Sequence, residues 1–130
     1  MESMIRTAKN SIVLMTSASG ITRKKEMLLE ALEKAKEKQI NIKIAATINK
    51  DNIKDAKDIS KFAEIRHTNN SSRFCIIDGE KIMFMLLDDT KSDPNSDLGV
   101  WAETKPFLST IKGLFDSEWE KMTPLSKIKV

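Results

Sequence analysis

The feature that most constrains this chain is the run Ser11-Ile12-Val13-Leu14-Met15, in which four apolar residues follow one another without polar alternation. Successive side chains of a strand point to opposite faces, so a strand of this composition is buried on both, as in a sheet covered by helices. Ser3–Asn10 (SMIRTAKN) reads as a short helix with Met4, Ile5 and Ala8 on one side. The small residues Thr16–Gly20 read as a turn, and Thr22 is expected to cap a helix over Arg23–Lys38. Met27, Leu28, Ala31, Leu32 and Ala35 make its apolar stripe. Arg23, Lys24 and Lys25 read as a solvated helix start that opposes the helix dipole. The alternative is an anion site on the backbone amides of Thr16–Gly20.

Asn41–Ile48 follows with strand periodicity, and Asp51 is placed to cap a helix carrying Ile53, Ala56, Ile59, Phe62 and Ala63. Glu64-Ile65-Arg66 is too short to be more than an edge or short strand. Phe74–Ile77 and Lys81–Leu87 read as paired strands, because Asp78-Gly79 between them suits a turn that needs positive φ. Asp88–Asp97 is a polar loop and Leu98–Trp101 a last strand. Pro106 stands in the first turn of a closing helix, where its missing donor costs little. Phe107, Leu108, Ile111, Leu114, Phe115 and Trp119 are expected to line one face of it, and residues 121–130 to form a frayed basic tail. The order predicts an α/β fold, a single-domain mixed sheet with helices on both faces, spanning residues 1–130.

Twenty-two Lys and Arg against nineteen Asp and Glu give a net charge of +3, too mild a bias to argue nucleic-acid binding. One cysteine, Cys75, forbids an internal disulfide, and with the one histidine, His67, it excludes a His/Cys zinc site within one chain. No apolar run approaches the ~20 residues of a membrane helix. The expectation is a cytoplasmic domain with no membrane contact, no metal and no cofactor.

Glycine-rich phosphate loops, Gly-x-Ser-x-Gly and His-Glu-x-x-His are absent. A triad of Ser71 or Ser72 with His67 and Asp78 can be written on paper, but no nucleophile turn supports it. The informative segment is Ser71-Ser72-Arg73-Phe74-Cys75-Ile76-Ile77-Asp78-Gly79-Glu80. It resembles the phospholipase D signature His-x-Lys-x-x-x-x-Asp, with Arg73 at the lysine position, Asp78 at the aspartate and Ser71 at the nucleophilic histidine. His67 lies four residues too early, and no family glycine or asparagine falls near Met85, Leu86 and Asp88. Attack on phosphorus in that family needs an imidazole, so the serine implies lost phosphodiesterase activity.

The order of parts extends the resemblance. "SIVLMTSASGI", "INIKIAATI", "EIRHT", the hairpin and "LFDSEWEKM" follow one another as in the phospholipase D-like regulatory domain of archaeal TrmB-related transcription regulators, from about Ser3 to Met122. The resemblance implies a non-catalytic sensor and dimerisation module, a homodimer whose two motifs face each other, and a small-molecule or anion effector. Ser71, Arg73, Asp78 and His67 are then the candidate ligand-binding residues. In that family a winged-helix domain precedes the module, so DNA is expected to be reached only through such a domain, and the chain to be an excised module or a stand-alone relative. Met83, Phe84 and Met85 are candidate dimer contacts, with burial in the monomer as the alternative.

The competing reading is a nuclease-type phosphodiesterase or nucleic-acid-binding relative with altered catalytic residues. Plainer roles stand beside each candidate: an ion pair between Arg73 and Asp78 closing the hairpin, a solvated His67, an inert core Cys75, and Trp101 and Trp119 packed on the core.

Overall fold

The computed structural model describes residues 2–70, 72–85, 99–103 and 105–128. Helix α1 (Glu2–Thr7) leads into β1 (Ser11–Thr16), followed by α2 (Ala18–Arg23), α3 (Lys25–Glu37), β2 (Asn41–Ala46), α4 (Ile53–Ile59) and β3 (Glu64–His67). Then come β4 (Phe74–Ile77), β5 (Lys81–Met85), β6 (Gly99–Ala102), α5 (Lys105–Lys121), β7 (Thr123–Pro124) and a single 3-10 turn, Leu125–Lys127. Among the described residues one sheet runs β6-β5-β4-β1-β2-β3-β7. β1, β2 and β3 are parallel, while β4 is antiparallel to β1 and β7 to β3. The mixed α/β sheet expected from the chain is therefore present, with β1 near its centre.

The non-alternating apolar run has the consequence anticipated for it. Ile12 and Leu14 join a core with Ile21, Leu28, Leu32, Ile44 and Ile59, under α1–α4. Val13 and Met15 face the other way and join Phe74, Ile76, Ile82, Leu108, Phe115 and Trp119. Among the described residues, four helices cover the first face and α5 the second. Phe115 lies edge-on to Phe74, with centroids 6.2 Å apart, and stacks on Trp119 at 5.5 Å. Arg66 on β3 sits 4.5 Å over the Trp119 ring and donates from Nη1 to the Trp119 carbonyl at 2.7 Å, tying the end of α5 to the sheet.

Several local expectations change. The helix expected over Arg23–Lys38 forms as α3 from Lys25 to Glu37, and ahead of it the Ser17 hydroxyl accepts the Gly20 N–H at 3.1 Å and caps a separate α2, with Thr22 inside it. Asp51 does not cap α4. Asn49 Oδ1 accepts the N–H groups of Asp51 (2.9 Å) and Asn52 (3.1 Å) instead. β3 is the short strand expected, four residues long, but not an edge one, since Thr123 and Pro124, expected to fray, pair with His67 and Arg66, and Leu125 and Ile128 pack on the core. Pro124 suits that outermost position, where a missing N–H breaks no inner ladder. On α5, Leu108, Phe115 and Trp119 are buried, but Phe107 is 40% and Leu114 61% exposed. The Asp88–Asp97 loop and the Trp101 side chain lie outside the described residues.

Because one helix shields the second face, its central aromatic carries that side of the core. Phe115→Ala is expected to cost about 3–5 kcal/mol in urea unfolding, whereas Leu114→Ala, one residue round the helix, changes stability by about 0.5 kcal/mol or less. Equal losses at both positions would contradict this packing.

Candidate functional site

The parallel strands β1, β2 and β3 end together, and β4 starts at that same edge because Phe74 pairs with Met15. Crevices outside the carboxyl ends of strands are where open α/β sheets bind ligands. Polar burial is concentrated there. The buried polar and charged residues among those described are Thr16, Lys24, Asn52 and Arg73, at 2%, 7%, 2% and 9% exposure. Thr16 ends β1, and the antiparallel register that pairs Met15 with Phe74 brings it opposite Arg73. Lys24 stands at the junction of α2 and α3, so the expected solvated basic helix start is not what forms. Its neighbour Lys25 bridges to Asp55 at 3.0 Å and Asp58 at 2.9 Å on α4. Those hydrogen bonds raise the Lys25 pKa and lower that of Asp58.

The loops at this edge hold one another. Asn52 donates from Nδ2 to the carbonyls of Thr47 (2.9 Å) and Ala18 (3.1 Å), and its Oδ1 accepts the Asn49 N–H at 2.8 Å. His67, the last residue of β3, is half-buried rather than solvated. Its Nδ1 accepts the Ile48 N–H at 2.9 Å, which assigns the proton to Nε2, 3.2 Å from Asn69 Oδ1. Nδ1 thus holds the β2–α4 loop to β3, and Nε2 meets Asn69 in the loop that follows β3.

A cavity of about 430 Å³ opens at the same edge between α5 and the sheet. Met15, Phe74, Phe84, Ile111, Leu114 and Phe115 form its apolar walls, and Asn70, Ser72, Arg73 and Glu118 its polar rim. Its size falls in the usual range for small-molecule sites, about 300–1,000 Å³.

Of the four residues singled out from the sequence, the three described ones, His67, Arg73 and Asp78, do not converge. Ser71 lies outside the described residues. Arg73 immediately precedes β4 and Asp78 immediately follows it. At about 3.3 Å per residue they are some 16 Å apart. The expected ion pair closing the hairpin is therefore absent. Asp78 Oδ1 instead accepts backbone N–H groups of Lys9 (3.0 Å), Asn10 (2.7 Å) and Ser11 (3.0 Å), at the opposite end of the sheet. Burial alone would raise the Asp78 carboxyl, but these bonds outweigh it and hold its pKa below the ordinary value. His67 sits on β3, three strand spacings from β4 in the order β4-β1-β2-β3, or about 14 Å. The paper triad with Asp78 is excluded by the same geometry.

Cys75 is fully buried, and burial pushes its thiol up to about 12, which makes it the inert core residue expected. Met83 is in the core and Phe84 half-buried, with its ring 5.7 Å from Phe107. The Met85 side chain lies outside the described residues. Met15 and Glu118 were not among the candidates, Phe84 was named only as a dimer contact, and Thr16 and Lys24 only with the alternative anion loop and its basic helix start. Only Thr16 had a usable signal, through the strand register opposite Arg73. No group of three or more His, Cys, Asp or Glu among the described residues could hold a metal. No helix among them is long and apolar enough to cross a membrane.

Sheet order and helix cover make a mixed α/β domain, and solved structures show that its fold is phospholipase D-like. Nuc from Salmonella typhimurium, a phospholipase D family member, superposes with a TM-score of 0.73 at 17% identity, over 95% of this chain and 86% of its own. NucT from Helicobacter pylori gives 0.69 at 14% identity, over 95% and 87%. TrmBL2, an archaeal chromatin protein whose structure shows a novel mode of DNA binding, gives 0.66 at 23% identity over 94% of this chain. The present chain spans 47% of TrmBL2, about half its length. No curated relative matches by sequence. Residues 1–123 match the family described as "Transcriptional regulator TrmB, EBD N-terminal subdomain". The chain belongs to that family.

Asp78→Ala is expected to destabilise the fold by about 1–3 kcal/mol by stripping the acceptor from three N–H groups. Asn, which tolerates the positive φ of 57° here, should cost less. The folded-state pKa of Asp78 is lowered, so its contribution is complete above the unfolded value of about 3.9 and is lost as pH falls through the folded one. The stability gap between wild type and Asp78→Asn should therefore narrow in urea titrations from about pH 5 downward. A gap that widens on acidification would refute the clamp.

Proposed function

We propose that this chain is a non-catalytic sensor and dimerisation module of an archaeal, cytoplasmic TrmB-type transcription regulator. One observation carries the reading. The chain has a single histidine. That residue stands three strands away from Arg73 with both ring nitrogens engaged in loop contacts. The phospholipase D reaction needs an imidazole free to attack phosphorus beside the cation that neutralises the phosphoryl oxygens. At the histidine position of the signature this sequence carries Ser71. What the edge does offer is a buried cation, a polar rim and an apolar cavity, which suit reversible binding of a small effector. Arg73 and Ser71 are the signature positions we assign to that binding. Asp78 serves the scaffold, and His67 takes part through the loop it fastens. Contact with DNA is assigned to a winged-helix domain of the kind the family carries ahead of this module.

The nuclease-type reading has its own support in the shared fold with Nuc and NucT. The two readings separate in a phosphodiesterase assay. The sensor reading expects no turnover of an aryl phosphodiester, and turnover abolished by Ser71→Ala would overturn it. For assembly, light scattering at tens of micromolar is expected to give twice the chain mass of 14.7 kDa. A mass equal to one chain would remove dimerisation from the proposal.

A further inference from the structure

Helix α4 carries its charges in two separate tracks. The turns on either side of it extend its path. The Ile53 N–H donates to the Asn49 carbonyl at 2.9 Å, the Ser60 N–H to the Ala56 carbonyl at 2.9 Å, and the Phe62 N–H to the Ile59 carbonyl at 3.0 Å. Along residues 49–62 the lysines Lys50, Lys54, Lys57 and Lys61 recur at i, i+4, i+7 and i+11, the spacing that gathers side chains on one helix face. All four are exposed, on the side away from the buried Ala56 and Ile59. At 1.5 Å per residue the row is about 16 Å long. The carboxylates of the segment lie beside it. Asp55 and Asp58 turn to Lys25 of α3, at 3.0 and 2.9 Å, which leaves Asp51 outside that bridge. Among the described residues Lys50, Lys54 and Lys57 make no ion pair. Like charges at these spacings repel one another, so the row weakens its own helix until a row of negative charge opposes it.

We infer that this lysine row is a contact for the phosphate backbone of duplex DNA. Over about 16 Å of its axis a duplex presents roughly nine negative charges, one per about 1.7 Å. Lysines with no arginine or aromatic side chain among them hold phosphates as point charges and carry little sequence information. A lipid surface would call for apolar side chains beside the lysines, whereas Ala56 and Ile59 of α4 are sealed in the core. The inference goes beyond the sensor reading. It gives the module a weak, sequence-independent grip on DNA of its own, added to the contact assigned to a winged-helix domain.

The test is fluorescence anisotropy of two labelled duplexes of unrelated sequence, titrated with the intact chain at about 50 and about 200 mM salt. Both duplexes are expected to bind alike at the lower salt, with dissociation constants on the order of 10–100 μM, and roughly a hundredfold more weakly at the higher. Lys50→Gln, Lys54→Gln and Lys57→Gln made together should lower the slope of log affinity against log salt by about one per lysine. The same charge removed from α3, by Lys34→Gln, Lys36→Gln and Lys38→Gln together, should leave that slope nearly unchanged. No binding of either duplex at the lower salt, equal losses in the two triple variants, or capture of phosphatidylserine vesicles in place of duplex would each overturn the inference. Those results leave the sensor reading standing, since it falls to phosphodiester turnover.

Discussion

The carboxylate of Asp78 fixes where the central strand begins. Oδ1 gathers the N–H groups of Lys9, Asn10 and Ser11, while the Asp78 N–H donates to the Ser11 carbonyl at 2.9 Å. The loop leaving α1 is thus locked to the hairpin that follows β4, and the register of β1 against β4 starts with Ile12 opposite Ile77. A slip of one residue would turn every side chain of β1 to the wrong face. Since β1 is apolar on both faces, hydrophobicity alone discriminates weakly between those registers. The polar clamp supplies the missing discrimination, and it does so at positive φ, 57° for Asp78 and 67° for Gly79, where these two residue types fit.

Once β1 is placed, the two faces of the sheet follow different rules. α1–α4 close over one face and leave little of it accessible. Among the described residues α5 alone crosses the other, held by Phe115 and Trp119 and by Arg66 over the Trp119 ring. A single helix cannot cover a sheet of this breadth, so apolar surface remains beside it. That surplus appears as the cavity against Phe74 and Phe84 and as the exposure of Phe107 and Leu114. The cavity is a consequence of topology before it is a property of particular side chains.

This also separates what could be read in the sequence from what could not. β1, the hairpin turn, the stripe of α3 and the buried Cys75 were legible because each depends on a short-range pattern. The break between α2 and α3 was not, because Ser17 and Thr22 are equally good caps in isolation and only tertiary packing chooses. The pairing of Thr123 and Pro124 with β3 was hidden because two residues carry no periodicity. α5 misled in the opposite way. Phe107 and Leu114 fit an apolar stripe, but the stripe is wider than the sheet surface available to one helix. Of the site, Arg73 was found through its motif, whereas Glu118, Met15 and Phe84 meet it only through folding.

The spacing that draws attention to Arg73 and Asp78 carries two separate physical tasks. Four intervening residues are the length of β4, so the two side chains must stand at opposite ends of one strand. One end organises backbone through a carboxylate; the other presents a cation to the carboxyl edge of the sheet. Only the second task depends on what lies beside the cation. Replacing an imidazole there by a hydroxyl removes a nucleophile without touching the clamp, which does not involve that edge. A scaffold arranged in this way can lose phosphoryl chemistry and keep its register, its core and its buried cation. What then remains at that edge is the cavity beside Arg73.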